Sequence, residues 1–158
     1  MKWVKQSIHY WCPDTKEHKF LGQNVTVAIL DTGISPHPDF KDRILSFRDF
    51  SSTTGSSEKV LFSFSHFSPL IDNSGHGTHV AGILAGSGLL SSGTYAGIAP
   101  FCNLIIGKVL DQNGNGSIKN VINGIQWIRD IYTQFHIRII NISVGTRPDL
   151  SIHQKLLL

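Results

Sequence analysis

The chain has 158 residues, 41% of them hydrophobic and 16% charged, with a formal net charge of +3; it suits one globular domain that buries about 68–70% of its unfolded surface. Its Lys and Arg residues are scattered without a dense basic run, which argues against nucleic acid as a partner. No apolar run approaches the roughly 18 residues of a membrane span, and the opening stretch lacks the apolar core of a signal peptide, so no membrane partner is expected and a cytoplasmic location is the default.

Residues 1–21 read as an N-terminal segment, and residues 22–158 as the domain proper. Residues 25–30, VTVAIL, form an apolar, β-branched run ending at Asp31, the pattern of a strand buried on both faces of a parallel sheet. RILSFRDF (43–50) is a weaker strand candidate, SSTTGSSEK (51–59) a polar loop, and FSFSHFSP (62–69) either a half-buried strand or a loop. The spacing then predicts a helix from His76 to Ala85, with Val80, Ile83 and Leu84 apolar and Gly77, Ala81, Gly82 and Ala85 small enough for close packing. A glycine- and serine-rich loop (86–100) leads to a second buried strand, NLIIGKVL (103–110). Ser117 caps a helix with apolar residues at 118, 121, 122, 125, 128 and 131/132, and IRIINIS (137–143) is a further strand. Strands separated by helices predict an α/β fold, a mainly parallel sheet with helices on both faces. Cys12 and Cys102 are widely separated and match neither a metal spacing nor a disulfide framework.

Ligands of open α/β sheets bind at the carboxyl ends of the strands. Asp31 ends one predicted strand, Asp111 follows another and Ser143 ends a third, while His76 opens a helix that can return to the same edge. An Asp and a His there can form an orienting pair: the carboxylate accepts one imidazole N–H, fixes the tautomer and stabilises the imidazolium during proton transfer. The helix N-terminus disfavours a permanent positive charge on His76, which suits a general base. Taken alone, an Asp and a His 45 residues apart are better read as a cap and a core side chain.

The words around them resolve this. VAILDTGISPHPDF, DNSGHGTHVAGILAG, GIAP and IINISVGT occur in this order and together resemble the subtilisin-like serine proteases, the subtilases, over residues 22–150. The type is closest to the intracellular minor proteases. The resemblance implies that Asp31 is the acid and His76 the general base of a Ser-His-Asp triad, with His79 a packing residue. It also implies that Leu110, Gly114 and Gly116 pair with one side of an extended peptide or protein substrate, and Ser143, Val144 and Gly145 with the other, in the manner of β-augmentation.

The family's nucleophile stands in a Gly-Thr-Ser-Met-Ala motif downstream of an oxyanion-hole Asn, and neither is found here; GTR at 145–147 lacks the serine. Ser87, Ser117 and Ser143 stand in neither that context nor a nucleophile elbow. The chain is therefore expected to be the N-terminal part of a catalytic domain, to need a C-terminal part as partner, and to be inactive alone. The alternative is a non-catalytic peptide-binding module or pseudo-protease. An aspartic-protease reading of AILDTGIS conflicts with the helices and the lack of a second DTG. DQNGNGSIKNVI copies eight positions of an EF-hand loop but has Ile122 where the twelfth ligand, a Glu, belongs. The histidines at 76 and 79 lack a third zinc ligand. His37 and Asp39 are expected to fix a turn between Pro36 and Pro38. No cofactor is expected; calcium, bound by some subtilases through an Asp at the place of Asp39, is not supported by the differently built 86–97 loop.

Overall fold

The computed structural model describes residues 2–10, 20–51, 58–60 and 72–145. Strand β1, Thr26–Asp31, is buried along its whole length. The period of two divides its side chains between layers. Val27 and Ile29 enter one cluster with Ala81, Ala85, Leu104 and Ile106. Ala28 and Leu30 enter the other with Ile105, Trp127 and Ile128. A continuous apolar run is thus what a central strand with cover on both faces requires.

Around β1 lie β2 (Ile44–Asp49), β3 (Glu58–Val60), β4 (Asn103–Lys108) and β5 (Ile137–Ile142), in the order β3-β2-β4-β1-β5. The pairs β2–β4, β4–β1 and β1–β5 are parallel, while β3 runs antiparallel to β2. The expected polar loop at 51–59 is corrected at its end, since Glu58 and Lys59 pair with Arg48 and Phe47. An edge strand needs a backbone ladder and can carry charged side chains, so its composition does not mark it. The Phe/Ser alternation at 62–69 lies outside the described residues.

Helix α1 (Lys2–Ser7) falls where the sequence marks no element, and the Tyr10 hydroxyl beyond it donates to the Ile98 carbonyl at 2.6 Å. Helix α2, His76–Ala85, has the bounds expected and buries Gly77, Ala81 and Ala85 against one face of the sheet. Helix α3, Ile118–Ile131, begins at the expected cap, Ser117 Oγ accepting the Asn120 N–H at 3.1 Å. Its buried face is rotated from the one expected. Gly124, Trp127, Ile128 and Ile131 are buried, whereas Ile118, Ile122, Ile125 and Tyr132 are exposed. The glycine sets that rotation: a Cβ at 124 would come within 3.0 Å of Leu30 and Val109 side-chain atoms, so the helix rides closest to the sheet there.

From β1 the chain moves two places along the sheet to β2, and after β4 helix α3 carries it two places the other way to β5. Such a reversal leaves a crevice outside the carboxyl ends of the central strands. Asp31 and Lys108 are register partners at those ends. Among the described residues no helix is long and apolar enough to cross a membrane.

Candidate active site

Asp31 is the last residue of β1 and is fully buried. Its Oδ1 accepts the Thr32 N–H at 2.7 Å and lies 2.7 Å from Nδ1 of His76, the first residue of α2. An ionised carboxylate only accepts, so Nδ1 carries the shared proton and the neutral ring keeps its free lone pair on Nε2. The acid is sealed from water while the His76 side chain is 51% exposed. The hydrogen bond to Asp31, and then the charge of that carboxylate, raise the His76 pKa above 6.5; partial desolvation opposes this and the charge of Asp72 adds to it. The helix N-terminus was expected to weigh against the imidazolium; the neighbouring carboxylates outweigh it. Among the described residues, Asp31 Oδ2 is buried without a hydrogen-bond partner.

Sequence reasoning missed Asp72. Its Oδ1 accepts from Thr32 Oγ at 2.8 Å, from Gly75 N–H at 2.8 Å and from Ser74 N–H at 3.2 Å, and its Oδ2 accepts from Thr78 N–H at 2.8 Å and from Thr78 Oγ. Burial works to raise the Asp72 pKa, but the bonds from Thr78, Thr32 and Gly75 together bring it below 3.8. The first N–H groups of a helix lack internal partners. Gly75, in the left-handed region at φ 85°, has no side chain to cap them, so Asp72 serves Thr78 N–H and Thr32 Oγ serves Gly77 N–H at 2.9 Å. An Asp three residues before a glycine that opens a small-residue helix is the signal that could have found it.

The residues expected to bind substrate converge beside this pair. A cleft of about 260 Å³ is lined by His76 and Thr32 together with Leu110, Gly114, Ser143, Val144 and Gly145. A second cleft of about 400 Å³ shares Leu110, Gly114, Val144 and Gly145 and adds Gly116. Ile118, Val121 and Ile122 also line it, so part of the apolar pattern of α3 faces a groove rather than the core. A Cβ at Gly116 would lie 2.5 Å from the Val109 carbonyl oxygen, and Gly114 has φ 75°, so this wall needs its glycines.

Other candidates lie apart or have other work. His79 is corrected: it is exposed rather than packed. α2 buries residues 77, 81 and 85, and position 79 falls on the opposite face at 100° per residue. There it lines a separate cleft of about 330 Å³ with His37 and Tyr95. Asp111 closes a turn, its Oδ1 accepting the N–H groups of Asn113 and Asn115 at 2.8 and 2.9 Å. The His37–Phe40 turn forms, with Asp39 N–H donating to His37 Nδ1 and Phe40 N–H to the His37 carbonyl. The Asp39 carboxylate accepts from Gly88 N–H at 3.0 Å and Leu90 N–H at 3.4 Å. Its oxygens are engaged by the loop backbone, and no grouping of three or more His, Cys, Asp or Glu side chains suited to a metal ion occurs among the described residues.

A sequence profile described as the subtilase family matches residues 22–155. The chain belongs to the subtilase family. It is 46% identical over 106 residues to serine protease AprX of Bacillus subtilis, a match covering 67% of this chain and 21% of that protein. It is 37% identical over 131 residues to the major intracellular serine protease of the same organism, covering 82% and 36%. Among solved structures, the CspB protease of Clostridium perfringens superposes with a TM-score of 0.72 at 27% identity, over 87% of this chain and 32% of that one. Sphericase superposes with a TM-score of 0.67 at 28% identity, over 90% and 44%. The chain thus spans between about a fifth and a third of the length of the curated relatives it matches.

Proposed function

We propose that this subtilase chain carries the acid and the base of a serine endopeptidase that hydrolyses bonds in peptide or protein substrates. The observation that carries the reading is the 2.7 Å contact between His76 Nδ1 and Asp31 Oδ1 beside a cleft that Leu110, Gly114, Ser143, Val144 and Gly145 also line. Asp31 holds the Nδ1–H tautomer. His76 Nε2 takes the proton of a serine hydroxyl as it attacks the scissile carbonyl and then gives it to the leaving amine. Leu110, Gly114 and Gly116 flank the substrate backbone on one side, and Ser143, Val144 and Gly145 on the other. Main-chain pairing then supplies affinity and the apolar cleft at Ile118 and Ile122 supplies selectivity.

No serine of the chain stands in the family's nucleophile motif, and in this reading the nucleophile and the oxyanion donors come from a further part of the enzyme. A triad lacking one member keeps about 10³–10⁴ over water only while its oxyanion hole survives. The chain by itself is accordingly expected to give neither peptide hydrolysis nor labelling by a serine-directed fluorophosphonate. The same residues joined to a segment bearing Gly-Thr-Ser-Met-Ala are expected to give both, and His76→Ala to abolish them. Stoichiometric labelling of the 158-residue chain alone contradicts the reading, as does full activity of His76→Ala in the longer enzyme.

A further inference from the structure

We infer that Asp72, acting through Thr32 and the first turn of α2, is a positioning residue for the Asp31–His76 pair; this rests on the reading of that pair as acid and base. The pair joins two separate elements, since Asp31 ends β1 while His76 opens α2, 45 residues later. Its distance is only as fixed as the contact between those elements. Every polar group of Thr32 spans that contact or braces it. Its N–H donates to Asp31 Oδ1, its Oγ–H donates to Asp72 Oδ1, its Oγ accepts Gly77 N–H, and its carbonyl accepts the buried Lys108 ammonium. On the other side, Asp72 grips Gly75 and Thr78, the residues on either side of His76 and Gly77. One carboxylate therefore ties the turn that carries the acid to the turn that carries the base. The bonds are charge-assisted, which makes them stronger than neutral ones, and the one from Thr32 is buried while those from the helix turn are part-buried. Among the described residues, the charged or titratable groups facing this knot are Asp31 and Lys108 from the sheet and His76 from the helix. Thr78 extends the knot, its Oγ accepting Ser35 N–H at 2.9 Å.

The test reads the pair directly and needs no turnover. In the chain with ¹⁵N-labelled histidine, the His76 Nδ1–H proton held by Asp31 gives a slowly exchanging low-field resonance, and the ring titrates above 6.5. Thr32→Val removes the hydroxyl while keeping a branched side chain. It is expected to lose the resonance and to shift the His76 midpoint downward, with circular dichroism unchanged. Thr32→Ser, which keeps the hydroxyl, is expected to retain both signals. Asp72→Asn should behave as Thr32→Val does; should it fail to fold, the threonine pair still decides. Asp31→Asn serves as the control that abolishes the resonance outright. A lowered melting temperature in Thr32→Val with the His76 resonance and midpoint untouched overturns the inference and leaves Asp72 a plain structural cap. A wild-type chain lacking the Asp31-dependent resonance instead overturns the acid–base reading itself.

Discussion

A methyl group at position 77 would lie 2.2 Å from the Gly33 carbonyl oxygen and 3.2 Å from Asp31 Cβ. Helix propensity favours Ala over Gly by about 1 kcal/mol, yet no backbone carbonyl can yield that much space, so the collision decides the sign. Gly77→Ala is expected to destabilise by about 1–3 kcal/mol and to part His76 from Asp31, measured as a lower denaturation midpoint together with loss of the His76 low-field proton. A second outcome at this scale follows from Asp72. Its folded pKa lies below the ordinary 3.8, so its contribution is complete above 3.8 and disappears as pH falls through the folded value. Asp72→Asn should therefore be less stable than wild type near neutral pH, with the gap narrowing in denaturant titrations as pH falls from 3.8 through the folded value. A gap that does not narrow at any acid pH where the protein stays folded contradicts an ionised, hydrogen-bonded Asp72. Asp31 and His76 were legible in the sequence because the motif holds them in short fixed words. Asp72 was not, because its partners are split between Thr32 and the turn at 74–78, and only the folded contact shows that one carboxylate serves both.

The central strands and α2 were legible because burial on two faces leaves an unbroken apolar run and close helix packing leaves a small-residue stripe. Both are composition signals that tertiary context does not change. β3 was not legible, since pairing at a sheet edge asks nothing of its side chains. α3 was read with the right bounds and a face rotated from the buried one: Val121, Ile128 and Ile131 pack as expected, but the rest of the stripe does not. The periodic count gave equal weight to Ile118, Ile122 and Ile125, which are exposed, and left out Trp127, which is 3% exposed. That difference can be measured. Ile128→Ala is expected to cost about 2–5 kcal/mol by opening a core cavity. Ile122→Ser, at 47% exposure, should change stability by no more than about 0.5 kcal/mol while weakening the binding of peptides that carry an apolar residue for the cleft. Equal losses of stability in the two variants contradict the rotated face.

At the scale of the whole molecule, β5 is the outermost strand on its side of the sheet among the described residues, and its Ile139, Ile140 and Ile142 are 54%, 43% and 41% exposed. An apolar edge with unpaired N–H and C=O groups templates pairing with other chains. The chain alone is expected to self-associate, and Ile140→Lys to shift size-exclusion behaviour toward monomer; a wild-type monomer with a sharp transition above about 60 °C contradicts this. The crevice between β1 and β4 brings Asp31, His76 and the cleft-lining residues to one edge, and in the proposed function Asp31 and His76 work there as the acid–base pair of a serine endopeptidase. The most direct measurement is the pH dependence of fluorophosphonate acylation in the serine-bearing enzyme, wild type against Asp31→Asn. Because Asp31 raises the His76 pKa and only the neutral ring accepts a proton, the wild-type rate should climb with pH through a midpoint above 6.5. Asp31→Asn should move that midpoint down and cut the rate by about 10⁴-fold through the wrong tautomer. A wild-type rate indifferent to pH, or an Asp31→Asn enzyme acylated as fast as wild type, contradicts the claim.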